Sequence, residues 1–139
     1  MKWLWFILGV SLLPALSIRV YAQECNPAAM QQLTQLETSG NAFSQKVQAY
    51  KKEWPTVPEI TPGKPSSQAA LFCLSGAPHK AHDIHKHGAD VFDQIDAFKK
   101  SQIGACAQAA QKAMDNLDVL ADDLERYIKA NKKCSGGRS

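Results

Sequence analysis

The sequence predicts an all-α protein, an up-down-up bundle of three long helices plus one short helix with two disulfides. In three segments, apolar residues recur every three or four positions, which is the spacing of amphipathic helices. No segment shows the strict alternation of a half-buried strand. Four cysteines are spread through the 139 residues and form no Cys-x-x-Cys pair. In an exported domain, an even number of well-separated cysteines is typical of disulfides rather than of free thiols.

Residues 1–22 have the pattern of a cleaved secretory signal peptide. Lys2 precedes an apolar run, and Val20 and Ala22 occupy positions −3 and −1 relative to the expected cleavage. The alternative is an uncleaved membrane anchor, but the run is short for a bilayer span and Arg19 closes it. We therefore expect export and cleavage after Ala22, which places the protein outside the cell or in a periplasm.

Cleavage would leave a nearly neutral domain. The whole chain contains 16 basic and 13 acidic residues, and Lys2 and Arg19 would leave with the signal. The mature chain would then carry 14 basic and 13 acidic residues, a net charge of +1 with neutral histidines. This balance gives no electrostatic reason to expect nucleic acid as a partner. We expect one bundle domain over residues 23–134, a flexible tail at 135–139, and no membrane contact after cleavage.

The first long helix is predicted to begin at Pro27 and to end before Pro55. Asn26 can cap it, and proline suits the first helical position because its missing N–H would have no helical partner there. A proline at the other end stops the helix. The apolar face between them is predicted to comprise Met30, Leu33, Leu36, Phe43, Val47, Tyr50 and Trp54.

The segment after the first helix contains four prolines within eleven residues, 55–65. Such a composition favours extended, polyproline-like backbone. Its two Pro-x-x-Pro spacings could dock in an aromatic groove of another protein, and the alternative is a stiff connector across the end of the bundle. Pro55 and Pro58 are candidate partner-binding residues on the first hypothesis.

The remaining helices follow from the same periodicity. A short helix is predicted over residues 67–74, and Pro78 opens a long helix whose apolar stripe has steps of three and four residues. The last helix is predicted from about Ser101, as its cap, to about Lys132. The apolar stripe of the helix that Pro78 opens is Ala81, Ile84, Gly88, Val91, Ile95 and Phe98, and the stripe of the last helix is Ile103, Ala107, Ala110, Met114, Leu117, Ala121, Leu124 and Ile128.

The helix layout predicts which cysteines pair. Cys25 begins the first helix and Cys106 begins the last, so an up-down-up arrangement brings both to one end of the bundle. Cys73 and Cys134 meet at the other end. Pairing Cys106 with Cys134 would bridge both ends of one helix, roughly 40 Å apart at 1.5 Å per residue, whereas a disulfide needs Cα atoms within about 7 Å.

All four histidines fall within residues 79–87. His79, Asp83 and His87 are spaced four residues apart on one helical stripe, and His82 lies three residues from His79. Imidazole nitrogens one turn apart can share zinc or copper, and a carboxylate can act as a co-ligand. The alternatives are a solvated helix face with helical His–Asp pairs, or a pH sensor. A divalent metal is therefore a candidate ligand.

Two further features are candidate partner-binding sites. Asp115, Asp118 and Asp122 form an acidic stripe that could meet a basic partner or the lysines of this chain's own first helix. Trp54 could be a core residue, or an exposed anchor of the type enriched in binding hot spots.

The sequence contains no nucleophile-elbow, phosphate-binding glycine loop or His-Glu-x-x-His motif, so we expect no enzyme activity and no cofactor. The leading hypothesis is a small secreted or periplasmic protein that acts by binding another protein, as an effector, a signalling protein or an inhibitor. The alternative is a carrier of zinc or copper through residues 79–87, or of a small apolar ligand in a cavity between helices. An exposed apolar patch would favour the first hypothesis, and an internal void the second.

Overall fold

The computed structural model describes residues 25–135, which form four helices and no strand. They are α1 (Pro27–Glu53), α2 (Ser67–Leu74), α3 (Ala77–Lys100) and α4 (Ala105–Cys134). The three long helices pack around one core, with the most extensive contact between α3 and α4, and α2 packs against α3. The predicted all-α bundle is therefore confirmed. None of these four helices combines the length and the apolar composition that crossing a bilayer requires.

Two predicted segments fall wholly or mostly outside the described part of the chain. The signal peptide predicted at residues 1–22 lies outside it, and so do residues 136–139 of the predicted tail.

The start of α1 predicted from the Asn26 cap is confirmed by a hydrogen bond, and the structure adds a polar cap at the start of α2. The Ala29 N–H donates to Asn26 Oδ1 at 2.8 Å at the start of α1. At the start of α2, the Ala69 N–H donates to Ser66 Oγ at 3.1 Å. These side chains satisfy amide groups that have no partner inside the helix.

The turn between α3 and α4 differs from the prediction. Ser101 closes α3 instead of opening α4, because its N–H and its hydroxyl both donate to the Phe98 carbonyl, at 3.0 and 2.7 Å. The last helix starts only after Gly104, whose φ of +66° suits glycine. Ile103 lies in this turn and is exposed, so its predicted place in the core stripe was wrong.

The first turn of α1 also differs from the predicted face. Met30 is half-exposed, whereas Ala29 is buried. Ala29 precedes Leu33 by four residues and Leu36 follows by three, so the buried stripe has a regular heptad spacing that begins one residue earlier. The rest of the predicted face of this helix, from Leu33 to Trp54, is buried as expected.

The two disulfides close opposite ends of the bundle. Cys25 pairs with Cys106, with Cα atoms 5.3 Å apart, and Cys73 pairs with Cys134, with Cα atoms 5.4 Å apart. These are the pairs that the up-down-up layout predicts. The first bridge joins the start of α1 to the start of α4, and the second joins α2 to the last residue of α4.

An aromatic cluster fills the end of the bundle that the Cys73–Cys134 bridge closes. The Trp54 and Phe72 rings meet edge to face at 5.0 Å, as do the rings of Tyr50 and Tyr127. The Tyr50 hydroxyl donates to the Ala77 carbonyl at 2.9 Å, and the Tyr127 hydroxyl donates to the Trp54 carbonyl at 2.7 Å. Two buried phenols therefore hold the chain where α1 ends and where α3 begins.

Because these phenols are buried, the free energy of unfolding depends on pH in the alkaline range. Burial, with a smaller repulsive contribution from Tyr127 and Glu53, raises the pKa of Tyr50 above its ordinary value of 10. Burial also raises the pKa of Tyr127. Above about pH 10 the unfolded chain therefore releases phenolic protons that the folded chain still holds. This contribution to stability is complete below pH 10 and is lost as the pH rises toward the folded-state values.

We expect the free energy of unfolding to fall above about pH 10, by at most about 1.4 kcal/mol per pH unit for each tyrosine. Urea unfolding curves of the wild type and of a Tyr50→Phe/Tyr127→Phe variant, measured at several pH values up to the alkaline range, test this. The variant should be less stable near neutral pH, because two hydrogen bonds are lost. It should also show a flatter alkaline decline, and parallel declines of the two proteins would contradict the assignment.

Candidate functional site

The structure distributes the four histidines around α3 rather than gathering them. His79 and His82 are exposed, and their rings are nearly parallel with centroids 6.4 Å apart. His87 borders a groove toward α1, whereas His85 borders a groove toward α4. Proximity in the sequence therefore does not place these rings in one site.

The predicted metal ligands do not form a cluster. His79 Nε2 lies 3.9 Å from Asp83 Oδ2, and both side chains are mostly exposed. His87 is two turns further along, a rise of about 12 Å, which is too far for it to share an ion with His79. Among residues 25–135, no group of three or more histidine, cysteine, aspartate or glutamate side chains is arranged to hold a metal ion. The exposed His79–Asp83 pair matches the solvated helix face.

Trp54 and Pro58 are not available to a partner, contrary to their place among the candidate binding residues. Trp54 is 7% exposed, because it packs against Phe72 and its carbonyl accepts the Tyr127 hydroxyl. Pro58 is buried, while Pro55 is exposed. Val57 and Ile60 in the same segment pack against the core. The proline segment therefore behaves as a connector across the end of the bundle.

The acidic stripe of α4 does lie on the surface. Asp115, Asp118 and Asp122 are all exposed. The next residue along the helix, Asp123, pairs with Lys51 of α1, with Nζ and Oδ2 2.7 Å apart. The contact between α4 and the lysines of α1 is therefore made by Asp123 and leaves the stripe itself open.

Two leucines of α2 are exposed to solvent, which the sequence pattern did not predict. Leu71 is 61% exposed and Leu74 is 88% exposed. They lie three residues apart on the outer side of the helix, and Phe72 beneath them is fully buried. Cys73, between them, is bonded to Cys134. We call Leu71 and Leu74 the leucine pair. The signal in the sequence was a short helix with apolar residues on every side, which cannot bury all of them.

Two grooves lie between the long helices, and both open to solvent. One, of about 390 Å³, separates α1 from α3 and is bordered by Glu53 and Lys80. These two side chains form an ion pair, with Nζ and Oε2 3.2 Å apart. The other groove, of about 220 Å³, separates α3 from α4. Neither is an enclosed void of the type that the carrier hypothesis for a small apolar ligand requires.

No buried side-chain nitrogen or oxygen atom of the described residues lacks a hydrogen-bond partner. The buried hydroxyls of Tyr50 and Tyr127 donate to backbone carbonyls. Comparison with protein-family models, with curated proteins and with solved structures found no match to the chain.

Proposed function

We propose that this protein is exported and acts, without catalysis, by binding another protein through the leucine pair on α2. The observation that carries the proposal is the exposure of two leucines on α2, a helix that a disulfide joins to α4. Contiguous apolar patches on a protein surface mark interaction sites more often than singly exposed apolar residues do. Burying both side chains against a partner would contribute roughly 1.5–3 kcal/mol each.

The rest of the bundle holds α2 in place, so the leucine pair is presented to a partner in a fixed orientation. Ala69 and Phe72 are fully buried on the inner side of α2. Cys73 ties the same helix to the end of α4. A contact surface that is already ordered loses little conformational entropy on binding. An effector, a signalling protein or an inhibitor would use a surface of this kind.

Two features support the proposed export and indicate where the protein would act. Two disulfides are typical of proteins that fold in oxidising compartments, and residues 1–22 have the composition of a secretory signal. The place of action would then be the extracellular medium or a periplasm, where a small disulfide-closed domain persists.

Replacing the leucine pair should weaken the interaction strongly without unfolding the protein. The mature wild type and a Leu71→Gln/Leu74→Gln variant are immobilised and exposed to extract from the natural source, and captured proteins are quantified by mass spectrometry. We expect a saturable partner that the variant captures at least about tenfold less, the equivalent of about 1.4 kcal/mol. Both leucines are exposed, so thermal stability should change little.

The matched control is Met30→Gln/Ile103→Gln. It removes two other exposed apolar side chains, which lie toward the opposite end of the bundle. The control should capture the partner as the wild type does. Equal losses in both variants, or the absence of any saturable protein, would contradict the proposal.

A further inference from the structure

The groove between α3 and α4 has an apolar floor. Gly88 and Leu117 lie buried at its base, and the half-buried Phe92 and Ala121 flank them. Ala121 is small, whereas Gly88 packs against the Phe43 ring of α1, which lies 2.5 Å from where a Cβ atom of residue 88 would be. We call the groove, together with its rim, the acidic groove.

The rim of the acidic groove carries one sign of charge. Asp93 of α3 and Asp118 and Asp122 of α4 are exposed at its edges and form no ion pair with any described residue. Glu125 also borders the groove and pairs with Lys129 of its own helix, with Nζ and Oε2 3.1 Å apart. No lysine or arginine of the described chain lines the groove. His85 is the one basic side chain at its border.

We propose that the acidic groove is a second binding site, for a basic amphipathic helix of another protein. The apolar floor favours an aliphatic side chain, and the three unpaired carboxylates favour lysine or arginine on either side of it. An anionic ligand would be repelled. A small cation alone would leave the apolar floor in water.

The length of the groove fits this occupant. Its borders run over residues 85–93 of α3 and 117–125 of α4, a rise of about 12 Å along each helix. That distance matches about two turns of a bound helix, enough to place one apolar side chain between two basic ones.

This site is separate from the leucine pair. The acidic groove lies between the middle parts of α3 and α4, whereas the leucine pair lies on α2 at the end of the bundle. Variants of one surface leave the other intact, so failure of one proposal is distinguishable from failure of the other.

The probe is a fluorescein-labelled synthetic helix of leucine, alanine and lysine with its leucines on one face, titrated with the oxidised mature protein and followed by anisotropy. We expect saturable binding that weakens about three- to tenfold in an Asp118→Asn/Asp122→Asn variant, since each such rim charge contributes modestly. Binding should also weaken with added salt. A peptide with glutamate in place of lysine should not bind, and one with glutamine in place of leucine should bind less tightly.

The matched control is Glu37→Gln/Glu59→Gln, which removes the same charge at exposed positions away from the groove. It should bind the peptide as the wild type does. An equal loss in both variants would mean attraction to net charge alone and would overturn the assignment, as would an absence of binding. Sedimentation of the protein without peptide measures its oligomeric state. A dimer that is lost in the Asp118→Asn/Asp122→Asn variant would assign the groove to a second copy of this chain and overturn the proposal.

Discussion

Replacing Cys73 and Cys134 together by alanine is expected to lower the free energy of unfolding by about 4 kcal/mol. The bridge closes a loop whose ends are 61 residues apart in sequence, which restricts the unfolded chain strongly. It also ties α2 to α4, which contact each other little otherwise. Urea unfolding of the variant and the wild type, both purified under oxidising conditions, measures the difference.

Hydrogen exchange distinguishes the structural effects of removing the two disulfides. In the Cys73→Ala/Cys134→Ala variant, the amides of α2 should lose protection first, whereas a Cys25→Ala/Cys106→Ala variant should loosen the first turns of α1 and α4. The first variant should also bind the partner of the leucine pair more weakly, because α2 is no longer held in place. A loss of stability below about 1 kcal/mol, with α2 protected as in the wild type, would contradict the role assigned to this bridge.

Gly88→Ala is expected to destabilise the protein by about 1–3 kcal/mol, although alanine favours helices more than glycine does. A Cβ atom at this position would lie 2.5 Å from both Cε2 and Cζ of Phe43. The Phe43 ring is fully buried at the centre of the core, so it has no free space to move into. The measurement is the free energy of unfolding by denaturant.

Gly40→Ala is the matched control, because it also lies in a long helix and faces the core. Its Cβ would meet Leu117 Cδ2 at an ordinary 3.8 Å, so the substitution should stabilise the protein by about 0.5–1 kcal/mol. In a Phe43→Leu background, which removes the outer ring atoms, Gly88→Ala should lose most of its effect. If Gly88→Ala and Gly40→Ala changed stability equally in the same direction, the close approach of α1 and α3 would be contradicted.

The helices and the disulfide pairs were predictable because both depend on regular spacing. A heptad pattern determines which side of a long helix faces the core, and helix length determines which ends meet. Phe43, Ile95 and Leu124 follow that pattern and are buried. The errors fall where regular spacing stops. Ser101 can cap either helix by its chemistry, and the turn at Gly104 decides which.

The candidate sites were less predictable because they depend on neighbours from other helices. The exposure of Leu71 and Leu74 depends on which side of α2 meets the core. Six of its eight residues are apolar and surround the helix, so the pattern does not specify a side. The rim of the acidic groove combines Asp93 with Asp118 and Asp122, which only the register of α3 against α4 brings together. The four histidines are close in the sequence, but neighbouring positions on a helix point in different directions, so this closeness does not bring their rings together.

Photo-cross-linking would show whether the leucine pair on α2 contacts a protein partner. A photoreactive benzoylphenylalanine at position 74 would be irradiated in extract from the natural source, and the same group at position 30 would serve as the control. We expect one protein to be cross-linked from position 74, to be displaced by excess unlabelled wild type, and to be absent from the control. Labelling that wild type does not displace, or equal labelling from both positions, would contradict it.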